Sequence, residues 1–265
     1  MMKTSFSEYL KNRFKTDKTF LIVLLLFIAF QFGSFVYFLV LQRPRDYLLS
    51  IGFLAFVPVI LGAEYLLRVK FSWFFTAFLL FLGSGCILGA SYDWYSFFPV
   101  FDTILHGASG FAYACLGLAG VQLLLGKPET TKQFVAYLVF GFAISMTFEV
   151  LWELFEYAST ALIGFDMQED TIIHGFGSYF LSGTHVELVE IEGITQTIIY
   201  YGDGLTYTIN GYLDIGLIDT IVDMAVCFAG ALIYVLLLLI DWFKGKLFYR
   251  LLIPEKWVGR ETSKS

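Results

Sequence analysis

"FVAYLVFGFAISMTFEVLWELFEYASTALI" (residues 134–163) is long and apolar, yet it carries Glu149, Glu153 and Glu156 and no basic residue. About 20 apolar residues suffice to cross a bilayer. A carboxylate near the bilayer centre costs roughly 2.5–3.5 kcal/mol even on lenient insertion scales. Composition decides that this is a membrane helix and not a buried soluble one. The chain is 58% hydrophobic and only 15% charged, with 30 Phe among 265 residues, whereas soluble domains carry about 25% charged residues. Three carboxylates on one span therefore need a physical reason.

Five more stretches have span length, so the expected fold is an all-α integral membrane bundle of six helices. The spans are 20–41, 48–67, 71–90, 101–125, 134–163 and 217–240. With no internal repeat and no low-complexity linker, residues 1–265 read as one polytopic domain. The first apolar run lacks a small-residue cleavage site and reads as a retained helix. Lys and Arg set the direction. With the N-terminus inside, 15 of the 17 basic residues fall on the inner side, among them Lys3, Lys246, Arg260 and Lys264; only Arg43 and Arg45 fall outside. Six spans return the C-terminus to the inside. The aromatic and basic termini read as interfacial anchors on an acidic leaflet.

The segment 164–216 has no Lys or Arg and eight acidic residues. "THVELVEIE", "TQTIIYY" and "LTYTI" alternate or carry β-branched and aromatic residues, and "GDG" is turn chemistry. It is expected to be a small β-rich insertion outside the membrane. A net charge of −6 gives no reason to invoke nucleic acid. Cys86, Cys115 and Cys227 lie in apolar runs, so no disulfide framework is implied.

The polar residues inside the spans share both depth and phase. Asp102/His106, Glu149/Glu153 and Asp219/Asp223 are i,i+4 pairs, and Glu153/Glu156 is i,i+3, so each pair lies on one helix face. Ser145, Glu149, Glu153, Glu156 and Thr160 form one stripe. Their positions near the outer ends of three spans put His106, Glu153, Glu156 and Asp223 in a layer of about 10 Å at 1.5 Å per residue. In lipid such faces turn inward. The outer halves of the spans hold no Lys or Arg to neutralise them. Protonated carboxyls used as interhelical bonds, a proton or ion path, and a divalent cation held by oxygens and one imidazole are the three solutions. The cation is the leading reading, with its identity open.

Milder features have simple explanations. Glu64, four residues before Arg68, reads as a local ion pair; Gln31 reads as an interhelical hydrogen bond. "GSGCILGA" and "GASGFAYACLGLAG" read as close helix packing. His174 and His185 sit in the loop. No phosphate-binding loop, zinc-protease helix or nucleophile elbow is present.

"DTILHGASGF", "ELFEYASTALIGFDMQED" and "LIDTIVDMAVCFAGAL" together resemble the YjdF-like family of bacterial inner-membrane proteins. That family's pattern is an Asp-x3-His-x3-Gly helix, a Glu-x2-Glu helix, a Gln-Gly-Asp loop and an Asp-Thr-x2-Asp-Met helix. Asp102, His106 and Gly110 match the first element, and Glu153 and Glu156 the second. Gln168 and Asp170 match the loop, and Asp219, Thr220, Asp223 and Met224 the last. The resemblance covers about half the chain. It departs at Glu169, where the family has Gly, in some 45 inserted residues before the last helix, and at Glu149, which has no counterpart. It implies a bacterial plasma-membrane location and a polar set that works as one, but no particular activity. The metal set is then Asp102, His106, Glu149, Glu153, Glu156, Asp219 and Asp223, with Gln168 and Asp170 as loop contributors. The leading function is a metal-dependent enzyme on a lipid-linked or cell-envelope substrate. The rivals are a cation-binding or transport protein and an envelope scaffold.

Overall fold

A computed structural model describes residues 5–98, 100–164, 166–245 and 247–256; Lys3, Lys246, Arg260 and Lys264 of the inner count lie outside them. The chain is mostly helical and divides into two compact units. One takes residues up to Phe148 and from Val226 onward; the other takes Glu149–Ala225.

The first unit begins with α1 (Phe6–Thr16), whose start is capped by the Ser5 hydroxyl accepting from the Glu8 amide at 3.2 Å. Asp17 ends α1 and caps α2 (Lys18–Val40) through the Phe20 amide at 2.9 Å. α3 (Pro44–Phe53) opens on Pro, whose missing N–H is no loss in a first turn. α4 (Phe56–Leu67) ends at Arg68 in a left-handed conformation, φ 53°. The short β1 (Val69–Lys70) pairs antiparallel with β8 (Glu255–Lys256) near the other end of the chain. α5 (Trp73–Gly83) is capped by Ser72, whose hydroxyl also bonds the Leu251 carbonyl. A one-turn α6 (Trp94–Phe97) precedes α7 (Phe101–Leu125). The first half of α8 (Thr131–Ala158), the second half of α9 (Leu217–Lys244) and α10 (Leu247–Leu252) complete the unit.

Its core draws Phe20, Leu24 and Phe27 from α2, Phe75 and Leu80 from α5, Leu118 and Val121 from α7, Leu138 from α8 and Leu238 from α9. In lipid such packing is held by close contact and not by removal from water. The two glycine-rich stretches serve that contact, as expected. A methyl group built on Gly110 would overlap the Cys227 carbonyl oxygen, one on Gly230 would overlap the Gly107 carbonyl, and one on Gly141 would lie 2.6 Å from the Ala114 carbonyl. Gln31 donates to the Ser84 hydroxyl at 3.4 Å, the interhelical bond expected of it. Asp241 accepts from the Leu247 and Tyr249 amides and caps α10.

Glu64 departs from expectation. Its partner is not Arg68, which is exposed, but Arg13 of α1, at 2.9 Å and 3.1 Å. It also accepts from the Phe71 amide at 2.5 Å and from the Tyr9 hydroxyl. Burial and that bond push the Tyr9 phenol above its ordinary pKa. The left-handed turn at Arg68 directs the chain away, while α1 brings a planar guanidinium whose fork fits a carboxylate with both nitrogens.

Five helical stretches among the described residues are long and apolar enough to cross a membrane: Lys18–Val40, Pro44–Leu67, Phe101–Leu125, Thr131–Ile163 and Leu217–Lys244. The expected span 71–90 is instead the 11-residue α5, a turn at Ser84 and a π-helical turn over Ile87–Ser91. The Ser84 hydroxyl donates back to the Leu80 carbonyl at 2.9 Å, a bond that often bends a helix, and glycines flank it.

Among the described residues of the second unit the strands pair in twos. β2 (Thr171–Ile173) pairs with β7 (Tyr212–Asp214) and closes the base of the insertion. β3 (Gly175–Ser178) pairs with β4 (Val189–Glu192). β5 (Thr197–Tyr201) and β6 (Leu205–Ile209) form a hairpin whose "GDG" turn puts Gly202 and Gly204 at positive φ. β4, β5 and β6 lie in the stretches read as strand; β2, β3 and β7 fall outside them.

Candidate functional site

Three helices cross in the first unit, and the crossing is built on small residues. The Ser145 hydroxyl of α8 donates to the Gly110 carbonyl of α7 at 2.8 Å and lies 3.9 Å from Cys227 Sγ of α9. Gly107 and Gly110 of α7 meet Gly230 and Cys227 of α9 at the crossing, and further along both helices Cys115 meets Tyr234, so α7 and α9 run parallel. Gly117 meets Gly141 while Gly110 meets Ser145, so α8 runs antiparallel to α7. One turn from the crossing along α7 lies His106, 6% exposed. Its Nε2 stands 3.7 Å from Asp102 Oδ2, close enough for attraction and too long for a hydrogen bond. Asp102 is half-buried. At the Gly107–Gly230 contact opens an apolar cavity of about 270 Å³, lined also by Phe74, Phe78, Ala108, Phe111 and Ile233.

α8 carries the acidic stripe along one side. Ser145, Glu149, Glu153, Glu156 and Ser159 are buried, while Val150, Leu151, Leu154, Phe155 and Tyr157 are exposed. Thr160, expected in the stripe, is half-buried in the π-helical turn Ser159–Ile163. Within the second unit, Trp152 Nε1 donates to Glu156 Oε1 at 2.8 Å. Trp152 escaped the sequence reading, although its i,i+4 spacing to Glu156 was visible. On α9, Asp223 is buried and Asp219 half-buried.

The loop after α8 is tied to both helices of this unit. The Met167 amide donates to Thr160 Oγ1 at 3.1 Å, Gln168 Nε2 donates to Thr220 Oγ1 at 3.0 Å, and the Glu169 amide donates to Asp219 Oδ2 at 2.9 Å. A methyl group on Gly216, at φ +77°, would stand 2.6 Å from Gln168 Cβ. Two sequence elements some 50 residues apart, Gln168 with its neighbours and Asp219-Thr220, thus meet directly. Asp170 is exposed and does not share these bonds. Burial and then the charges of Asp166 and Asp214 push its carboxyl above the ordinary aspartate pKa. His174 Nδ1 lies 2.8 Å from the Ile194 carbonyl and belongs to the insertion.

The family model of a predicted membrane protein, DUF2238, matches residues 19–243. The chain belongs to the DUF2238 family. The YjdF-like resemblance of its polar motifs is consistent with this family. No curated protein and no solved structure matches the chain.

This DUF2238 chain is a multi-pass membrane protein that meets the bilayer through its apolar helices. Its buried His106, Glu153, Glu156 and Asp223 are donors of the kinds that can hold a metal ion. Carboxylate oxygens with a single imidazole form a hard to borderline set, suited to divalent ions from magnesium to zinc and unsuited to soft ones.

Proposed function

We propose that Asp102, His106, Glu149, Glu153, Glu156, Asp219 and Asp223 act as one set that holds a divalent metal ion, with Gln168 and Asp170 contributing from the loop. The protein is then a metal-dependent enzyme of the bacterial plasma membrane. It acts on a lipid-linked or cell-envelope substrate from the outer face, under the 164–216 insertion. The bundle has six spans, because α5 through Ser91 makes 19 residues, about 28 Å at 1.5 Å each.

One observation carries this reading, the crossing at Gly110. His106, Glu149 and Asp223 each lie four residues from a member of it (Gly110, Ser145 and Cys227) and, because α8 runs against the parallel α7 and α9, on the same side. Four residues are about 6 Å of helix, so helical phase carries all three toward one level. Glu153 and Glu156 follow on the same face of α8. Buried carboxylates in such number are tolerated when a cation neutralises them. The metal, when bound, would polarise a bond or lower the pKa of water, and one carboxylate left outside the ligand set would serve as base. The apolar cavity at Gly107, the residue after His106, suits the chain of a lipid-linked substrate. On the far side of the crossing the core of the first unit is apolar at Ala114, Leu118, Leu138 and Leu238, which favours an enzyme over a conducting path.

Elemental analysis of the purified full chain, with Glu153→Gln, Asp223→Asn and the double variant, tests this. Each change keeps shape and removes a charge. The expected result is near-stoichiometric metal in the wild type, less in each single variant and none in the double. A metal-free wild type whose melting temperature ignores chelator would replace this reading with protonated carboxyls bonding helix to helix.

A further inference from the structure

α3 and α4 carry a second, independent feature in the first unit. Arg45, Leu48, Leu49, Gly52, Phe53 and Phe56 line a groove of about 560 Å³. Their spacing puts all six on one face of the helical run Pro44–Leu67. Arg45 is the one charged residue among those lining residues and is exposed. Asp46, one residue on, is buried and accepts from Arg43 Nε at 2.6 Å and from the Ser91 hydroxyl at 2.7 Å. Arg43 is held further by the Ser91 carbonyl at 3.0 Å and by the Phe38 ring. The first turn of α3 lies at the same end, where helical amides and the macrodipole add positive potential.

We propose that this groove binds one anionic phospholipid, its phosphate on the Arg45 guanidinium and an acyl chain along Leu48, Leu49, Phe53 and Phe56. Charge complementarity selects the headgroup, since a guanidinium fork matches phosphate oxygens. Length selects the tail. From Arg45 to Phe56 is 11 residues, about 16 Å, roughly half of a ~30 Å hydrocarbon core and so the depth of one leaflet. The groove lies in a run apolar enough to cross the membrane, where phospholipid is the surrounding solvent. The far end is firm, because Phe56 stacks on Phe53 at 5.8 Å and its ring edge fills the space a side chain would take at Gly83. The middle is open: a methyl group on Gly52 would find no atom within 4 Å.

Native mass spectrometry of the full chain in neutral detergent tests this, with phosphatidylglycerol and phosphatidylcholine of matched tails. The wild type should retain phosphatidylglycerol over phosphatidylcholine by about fivefold, the preference expected of one basic residue near an anionic lipid. Arg45→Gln should lose the preference. Gly52→Leu, which fills the groove and improves helix propensity, should lose retention of both lipids. Gly120→Leu, at another helical glycine with no atom within 4 Å, should behave as wild type. Equal retention of the two lipids by the wild type, or an unchanged preference in Arg45→Gln, would overturn the proposal; so would unchanged retention in Gly52→Leu. Should Gly52→Leu fail to purify, the Arg45→Gln comparison decides alone.

Discussion

Arg13 of α1 and Glu64 of α4 meet through two nitrogens and two oxygens, Nε to Oε2 at 2.9 Å and Nη2 to Oε1 at 3.1 Å, and neither is more than 2% exposed. Arg13 Nη2 also donates to the Phe71 carbonyl at 2.8 Å, Nη1 to Asp17 at 2.9 Å, and the guanidinium carbon lies 3.6 Å from the Phe20 ring centroid. One guanidinium thus ties α1, the start of α2, α4 and the α4–α5 turn together.

Removing either member leaves a buried charge uncompensated, a loss of about 3–5 kcal/mol in comparable pairs. Arg13→Ala and Glu64→Ala should therefore each lower the melting temperature sharply, and the double variant should lose less than the sum. Arg68→Ala should change little. Thermal melts in detergent measure all four. If Arg68→Ala lost as much as Arg13→Ala, the assignment of Glu64 to Arg13 would be wrong.

Gly110 and Gly120 sit on the same helix with opposite surroundings. Gly110 has the Cys227 backbone where a Cβ would go, and Gly120 has open space. Gly110→Ala must push α7 and α9 apart and should cost at least the ~1–3 kcal/mol of an overpacked site. Gly120→Ala should be neutral or gain up to ~1 kcal/mol of helix propensity. Melting temperature and monodispersity on gel filtration separate them. A stable Gly110→Ala would mean that the two helices are not in contact there.

The distribution of Lys and Arg makes the proposed topology directly testable. A reporter active only in the cytoplasm should work when fused after Gly126, in the α7–α8 connection, and be silent after Gly204, in the β5–β6 turn. A cytoplasmic signal at Gly204 would place the proposed site on the wrong side of the membrane.

Asp170 links pH to the order of the insertion. Its carboxyl is held above the ordinary value of 3.8 by burial and by Asp166 and Asp214. A raised acid binds its proton more tightly in the folded state. Its contribution is therefore favourable below pH 3.8 and is lost as pH rises through the raised folded pKa. Asp170→Asn should accordingly strengthen the adjoining β2–β7 pairing at pH 7 and flatten its pH dependence in mild acid. Hydrogen exchange of the Ile172 and Ile173 amides at pH 4 and pH 7 reads this out. Protection that rises with pH in the wild type would show the opposite sign.

Much of this molecule is set by local periodicity. Hydropathy marked six stretches of span length, and five of them are helices long enough to cross a membrane, because span length is a property of one uninterrupted stretch. The glycine-rich stretches announced close packing because only small residues let two helical backbones approach. The phase of Glu149, Glu153 and Glu156 on α8 follows from 3.6 residues per turn, and their common burial agrees with it. Tertiary structure alone decided the rest. Glu64 had a basic residue four positions away, and took Arg13, 51 positions away, because pairing depends on which guanidinium the fold brings up and at what angle. Gln168 found Thr220, and β2 found β7, across a long loop; strands of three residues leave no period to read. The break at Ser84 was hidden because an apolar run looks the same whether or not one serine turns its hydroxyl back onto the helix.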